Sequence, residues 1–170
     1  MFNVAMCLMD IFLAWRWGDW RNWTKYQSTI LYFISCDLLY NFLTYNHPLW
    51  EYEPTLVYPN HTMMSLIAMF VAYPSVTLVF LGKYPAGRIK RILWICFWAL
   101  LWTFLEWVSF KVGQFSYHNG WNLTWSIVFD FVLFAMLRLH FVKPLLTYVL
   151  SALITIGLLL LFDVSIAEMK

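Results

Sequence analysis

The sequence predicts an all-α fold: a polytopic membrane helical bundle of about six transmembrane helices, in a single integral membrane domain over residues 1–170. Three observations predict it. Hydrophobic residues make up 62% of the chain and charged residues 12%, where a water-soluble domain is about half apolar and a quarter charged. The apolar residues come in long unbroken runs. The basic residues gather in alternate connectors between those runs, which suits helices threaded back and forth through a bilayer.

Six runs approach the roughly 20 residues that a helix needs to cross about 30 Å of hydrocarbon. They cover residues 1–17, 27–45, 61–82, 92–111, 123–140 and 144–162. The first is the shortest. Arg16 and Arg21 follow it rather than precede it, so it reads as a retained span and not a cleavable signal. None of the runs alternates apolar with polar as a half-buried strand would. In hydrocarbon the backbone must pair internally, which leaves helices.

The boundaries carry helix punctuation. Asn60 is placed to cap the third run, and Gly82, Pro85 and Gly87 stop it. Asn119 and Gly120 form a turn pair before the fifth run, with Asn122 as its cap. Pro144 falls in the first turn of the sixth, where a missing N–H costs nothing. Pro74, inside the third run, removes a backbone donor and is a candidate hinge, although a packing kink is its commoner role. Short connectors predict that sequential helices pack as antiparallel neighbours.

Basic residues favour the cytoplasmic side. Arg16, Arg21 and Lys25 follow the first run, and no basic residue follows the second. Lys83, Arg88, Lys90 and Arg91 follow the third, Lys111 the fourth, Arg138 and Lys143 the fifth, and Lys170 the sixth. Alternation therefore puts nine of these on one side and two on the other, which predicts both termini outside. Trp15, Trp17, Trp20 and Trp23 fall at the basic side, and Trp50, Tyr52, Trp121 and Trp125 at the other. Membrane-interface anchoring is the expected role of both groups.

Four acidic residues, Asp10, Asp37, Glu106 and Asp130, lie inside the runs, where each costs about 2.5–3.5 kcal/mol to insert. Helical spacing places further polar residues on their faces: Asn3 and Cys7 with Asp10, Asn41 and Thr44 with Asp37, Thr103 with Glu106, and Asn122 and Ser126 with Asp130. Each stripe occupies the half away from the basic loops. Two expectations compete. Asp10, Asp37, Asn41, Glu106, Asn122, Ser126 and Asp130 line one polar cavity, open outward and closed inward. Alternatively, each acid makes local hydrogen bonds that hold helices together.

Other chemistry finds little support. Cys7, Cys36 and Cys96 lie in apolar runs without the spacing of a disulfide framework or zinc site. His47, Glu51, Glu53, His61 and His118 could ligate a metal, but their spacing matches no metal motif. No nucleophile elbow, phosphate loop or dinucleotide fingerprint occurs. A net charge of +2 gives no nucleic-acid footprint. No cofactor, metal or catalytic residue is expected.

The strings GDWRNWTKYQSTILYFISCDLLYNFLTYNHPLWEYEP, PNHT and YHNGWNLTWS, together with Tyr73-Pro74, Glu106 and KPLL, cover most of the chain. They resemble a family of small multi-pass membrane proteins of endospore-forming, Bacillus-type bacteria, whose activity is uncharacterised. The resemblance implies a protein of the bacterial cytoplasmic membrane and supplies no catalytic residues. The expected activity is binding or transport of a proton, cation or small polar solute at the acidic cavity. The alternatives are a non-transporting sensor or assembly partner, dependent on residues 16–25, and, last, a membrane enzyme.

Overall fold

The computed structural model describes residues 2–165, 167 and 169–170. The first residue of the first predicted span lies outside these. Six long helices dominate: α1 (Phe2–Trp17), α2 (Trp23–Leu43), α3 (His61–Gly82), α4 (Arg88–Lys111), α5 (Leu123–Val142) and α6 (Pro144–Leu161). They match the six apolar runs in order, each within a few residues at either end. Four of them, α3 to α6, are long and apolar enough to cross a membrane. The expectation of six such spans is therefore met only in part. At about 1.5 Å per residue, the 16 residues of α1 reach about 24 Å, short of a 30 Å core. Its partner α2 is long enough, but Lys25, Gln27, Ser28, Asp37 and Asn41 dilute its apolar character.

The predicted caps form. The Asn60 side chain accepts from the Met63 N–H at the start of α3. The Asn122 side chain accepts from the Thr124 and Trp125 N–H groups at the start of α5. Pro144 occupies the first turn of α6. Within α3, residues Ala68–Ala72 form a π turn, in which the Tyr73 N–H reaches back to the Ala68 carbonyl. The α-helix resumes through Pro74. The wider turn lets the chain carry a residue without an N–H while the helix stays continuous.

Packing departs from simple succession. α3 is central and the most buried of the four long apolar helices, although Met63, Leu66 and Phe70 reach the surface. Both α1 and α2 pack on it, whereas α4 packs chiefly on α5, and α5 also meets α2 and α6. The expected sequential pairing therefore holds for α2–α3, α4–α5 and α5–α6, but not for α1–α2 or α3–α4, and α1 packs on α3 instead. α6 buries only Thr147 and shows apolar side chains such as Leu145 and Leu160 on its surface. A large exposed apolar surface of this kind fits lipid rather than water.

One element was invisible in the runs. The connectors α2–α3 and α4–α5 contain strands β1 (Trp50–Tyr52) and β2 (Phe115–Tyr117), paired antiparallel with Trp50 opposite Tyr117 and Tyr52 opposite Phe115. Their rings form a continuous stack. Tyr40 lies flat on Trp50 at 4.6 Å, Trp50 stacks on Phe115 at 5.5 Å, and Phe110 stacks on Tyr117 at 5.0 Å. Trp50, Tyr52 and Trp121 thus face protein, not a membrane interface as expected. Trp121 is only 6% exposed and donates its indole N–H to Ser126. Trp15, Trp17, Trp20 and Trp23, at the opposite end, are exposed as the interfacial reading requires.

Both chain ends lie at the sheet-bearing end. Asn3 bonds to Tyr58, Ser109 and Gln114, and the Lys170 N–H reaches the Phe42 carbonyl. At the basic end, Asp19 accepts from the Tyr26 hydroxyl at 2.7 Å and from Asn22. Arg138 lies over the rings of Tyr84 and Phe141, 4.4 and 5.5 Å from their centroids.

Two outcomes follow. The Tyr40 hydroxyl accepts from the Leu49 and Trp50 N–H groups and donates to the Trp50 carbonyl, all at 3.0 Å or less. Tyr40→Phe orphans two backbone donors and should lower stability by about 1–3 kcal/mol, read as a reduced unfolding midpoint in detergent. Hydrogen bonds from Tyr26 and Asn22 hold the Asp19 carboxyl below its usual range. A carboxylate so depressed stabilises fully above its unfolded value, about pH 4, and loses that contribution as pH falls toward its folded value. Asp19→Asn should therefore lower the unfolding midpoint at pH 7 and leave it level with the wild type near pH 2.

Candidate functional site

The four acids sit in one layer. At about 1.5 Å per residue they lie between about 8 and 12 Å from the sheet-facing ends of their helices. No Lys or Arg forms an ion pair with any of them among the described residues. Arg138 of α5 is engaged with rings at the other end. The layer is not a single cavity, however. The seven predicted cavity residues fall into three settings and one helix cap.

The first setting lies between α4 and α5. Thr103 donates to the Asp130 carboxylate at 2.6 Å, and the Tyr117 hydroxyl of β2 donates to Glu106 at 2.7 Å. Ser126, bonded by Trp121, also faces Glu106, and Glu106 lies close enough to Asp130 for their charges to interact. Asp130 and Ser126 are almost fully buried. This group carries the helix-joining role that was the competing expectation.

The second setting is centred on Asp37, between α2 and α3. Asp37 is 7% exposed, and its Oδ2 has no hydrogen-bond partner. The Tyr73 hydroxyl donates toward the carboxylate, and Tyr73 is itself held flat against Phe33 with centroids 3.9 Å apart. One turn outward, Asn41 bridges. Its Nδ2 donates to the Asp37 carbonyl, and its Oδ1 accepts from His61 Nε2 at 2.8 Å. His61 Nδ1 accepts from the Tyr52 N–H at 2.9 Å, which fixes the ring with its proton on Nε2. A pocket of about 460 Å³ opens here, bordered by Asn41, His61, Glu51, Glu53 and the C-terminal Lys170.

Asp10 defines the third setting. It has no hydrogen-bond partner among the described residues and borders a narrower cleft of about 100 Å³. Glu106 reaches the same cleft from α4, and Cys7 and Asn3 from α1. Tyr52 and Phe115 of the sheet cover its outer end. Asn122 belongs to none of these settings, because it is exposed and spent on its helix cap. Pro74 lies behind Tyr73, just past the π turn, so the helix irregularity and Asp37 share one region.

The outward opening expected from sequence is thus obstructed. The β1–β2 pair, with Tyr52 and Phe115 pointing inward, lies across the layer of acids. Burial raises the Tyr52 and Tyr117 hydroxyls well above the usual tyrosine range, so both remain hydrogen-bond donors. Sequence reasoning missed His61 as a linker, because its partners come from a helix and from a strand that showed no pattern. It also missed His140, which is 2% exposed, lies flat on Tyr32 at 4.3 Å and bonds to Thr29 through Nδ1. Of the residues considered as metal ligands, His118 and Glu51 approach to 3.6 Å. No group of three or more His, Cys, Asp or Glu that could hold a metal occurs among the described residues.

The layer makes a sharp prediction about helix joining. Thr103→Val removes the donor to the buried Asp130 carboxyl and should cost about 1–3 kcal/mol. Thr103→Ser should restore most of it, as read by unfolding midpoints of the purified variants in one detergent.

Neither a protein-family model nor any curated protein or solved structure matches this chain.

Proposed function

We propose that this is a six-span protein of a bacterial cytoplasmic membrane that binds or transports a proton, cation or small polar solute at its acidic layer. In this reading α1 and α2 join the four apolar helices in the bilayer, shielded by α3. The basic connectors face the cytoplasm, and both termini and the sheet face outward. The segregation of nine of the eleven basic residues to one end supports this orientation.

One observation carries the reading: Asp37 keeps a buried oxygen without a partner, Asp10 faces its cleft with no hydrogen bond, and neither forms an ion pair with a Lys or Arg among the described residues. A carboxylate kept in an apolar setting with no cation is costly. A protein that retains two of them gains from a ligand that supplies the missing positive charge. Glu106 and Asp130, tied by hydroxyls, shape the layer instead. The apolar inner halves and the aromatic sheet close both ends, which fits a carrier that rearranges and not an open channel. The π turn beside Asp37 is a natural place for such a rearrangement.

A second reading, a sensor or assembly partner that does not transport, draws on the exposed Trp15, Trp17, Trp20 and Trp23 around Arg16, Arg21 and Lys25. The two separate in proteoliposomes. The wild type should dissipate an imposed proton or sodium gradient faster than empty vesicles, and Asp10→Asn and Asp37→Asn should each slow this at least tenfold. Wild-type rates in both variants, or no flux above background in the wild type, would favour the second reading.

A further inference from the structure

The Asp10 cleft has a shape that names its ligand more closely. α1 and α4 are joined at the outer end, where Ser109 donates to Asn3 Oδ1 at 2.6 Å and Asn3 Nδ2 donates to the Gln114 carbonyl. Further in they part, and α3 forms the back wall through Met64, Ala68, Ala72 and Val76 at four-residue spacing. This spacing lays one flat, narrow strip along the helix. Tyr52 and Phe115 close the slot outward. Only α1, α3, α4 and the sheet contribute to the lining, so the side between Met9 of α1 and Leu101 of α4 has no element across it. Met9, on that side, is exposed at the surface of the bundle.

Two polar groups in the slot are unmatched. The Asp10 carboxylate has no partner among the described residues, and no Lys or Arg lines the cleft. Deeper in, Trp98 is 5% exposed and its indole N–H, buried, has no acceptor. Trp98 and Trp102 both line the same space. A ligand that meets the Asp10 carboxylate and the apolar walls carries a positive charge for the one and an apolar body for the methionines and tryptophans, and it leaves the Trp98 N–H as it is. It must also be soluble in hydrocarbon to arrive from the open side. An inorganic cation meets the first requirement only.

We propose that the slot between α1, α3 and α4 binds a small lipophilic amine from the bilayer, its ammonium group on Asp10 and its alkyl part against Trp98 and Trp102. This rests on the reading of the acidic layer as a ligand site and gives the ligand its chemical class. The depth of Asp10, about 12 Å from the outer end of α1 at about 1.5 Å per residue, favours a free amine over the amine of a lipid headgroup.

Hexylamine is the probe, with hexanol as its uncharged counterpart, and equilibrium dialysis against protein in phosphatidylglycerol nanodiscs is the measurement. The wild type should bind hexylamine saturably and hexanol at least tenfold more weakly. Asp10→Asn should lose at least tenfold in hexylamine affinity. Leu101→Trp, which fills the mouth without touching the acid, should lose as much. Nanodiscs containing phosphatidylethanolamine should leave the affinity unchanged; a tenfold reduction there would assign the slot to the lipid amine and overturn the free-amine proposal. No saturable hexylamine binding, equal hexanol binding, or wild-type affinity in either variant also overturns it. Ion flux that persists in a wild type unable to bind hexylamine would leave the acidic-layer reading standing and remove only the amine. Loss of both would remove both.

Discussion

A three-residue pairing between two distant connectors governs the sheet-bearing half of this protein. Trp50–Tyr52 and Phe115–Tyr117 are more than sixty residues apart in sequence, yet their backbones pair. The pairing ties the α2–α3 connector to the α4–α5 connector. It also points Tyr52 and Phe115 down into the helices and presents the Tyr52 N–H to His61. Through His61 and Asn41 the sheet reaches the Asp37 backbone. Through Tyr117 it reaches Glu106, and through Gln114 it reaches Asn3 at the start of α1. An isolated two-stranded pair of this length would be marginal in water. Here the stacked rings of Tyr40, Trp50 and Phe115, and the triple hydrogen bond at Tyr40, anchor it to α2.

The same element changes what the acids can do. With aromatic side chains packed among them, they are divided. Glu106 and Asp130 are drawn into a hydroxyl network, where they join α4 to α5. Asp37 is enclosed by Tyr73, and Asp10 is left facing a slot that opens sideways. The seven residues expected to share one cavity are spread over separate settings, and Glu106 and Asp130 take the helix-joining role.

Much of the architecture was legible because it rests on local chemistry. Asn60 and Asn122 cap the helices they precede, since a side-chain carbonyl there meets N–H groups that the helix itself cannot satisfy. The six apolar runs became six helices because length and composition allow little else. The shortfall is equally physical. The runs of α1 and α2 are short or polar by themselves and depend on burial against α3, which composition does not display. The strands were illegible, because three residues between prolines and glycines carry no period. Trp50 and Trp121 were assigned to the interface because an aromatic near a span end has the same signature whether it faces lipid or a neighbouring ring. His61 and His140 gain their partners only through tertiary contact.

The account stands or falls on the sheet that closes the outer end. In a chain with Cys7, Cys36 and Cys96 replaced by alanine, paired cysteines at Glu51 and Ser116, which are directly opposite in the register, provide the most direct measurement. Mild oxidation in native membranes should give a near-complete intramolecular disulfide, visible as a gel shift reversed by reductant. Cysteines that stay reduced under conditions that oxidise a flexible-loop control would show that the two connectors do not meet, and the layer of acids would then lie uncovered at that end of the bundle.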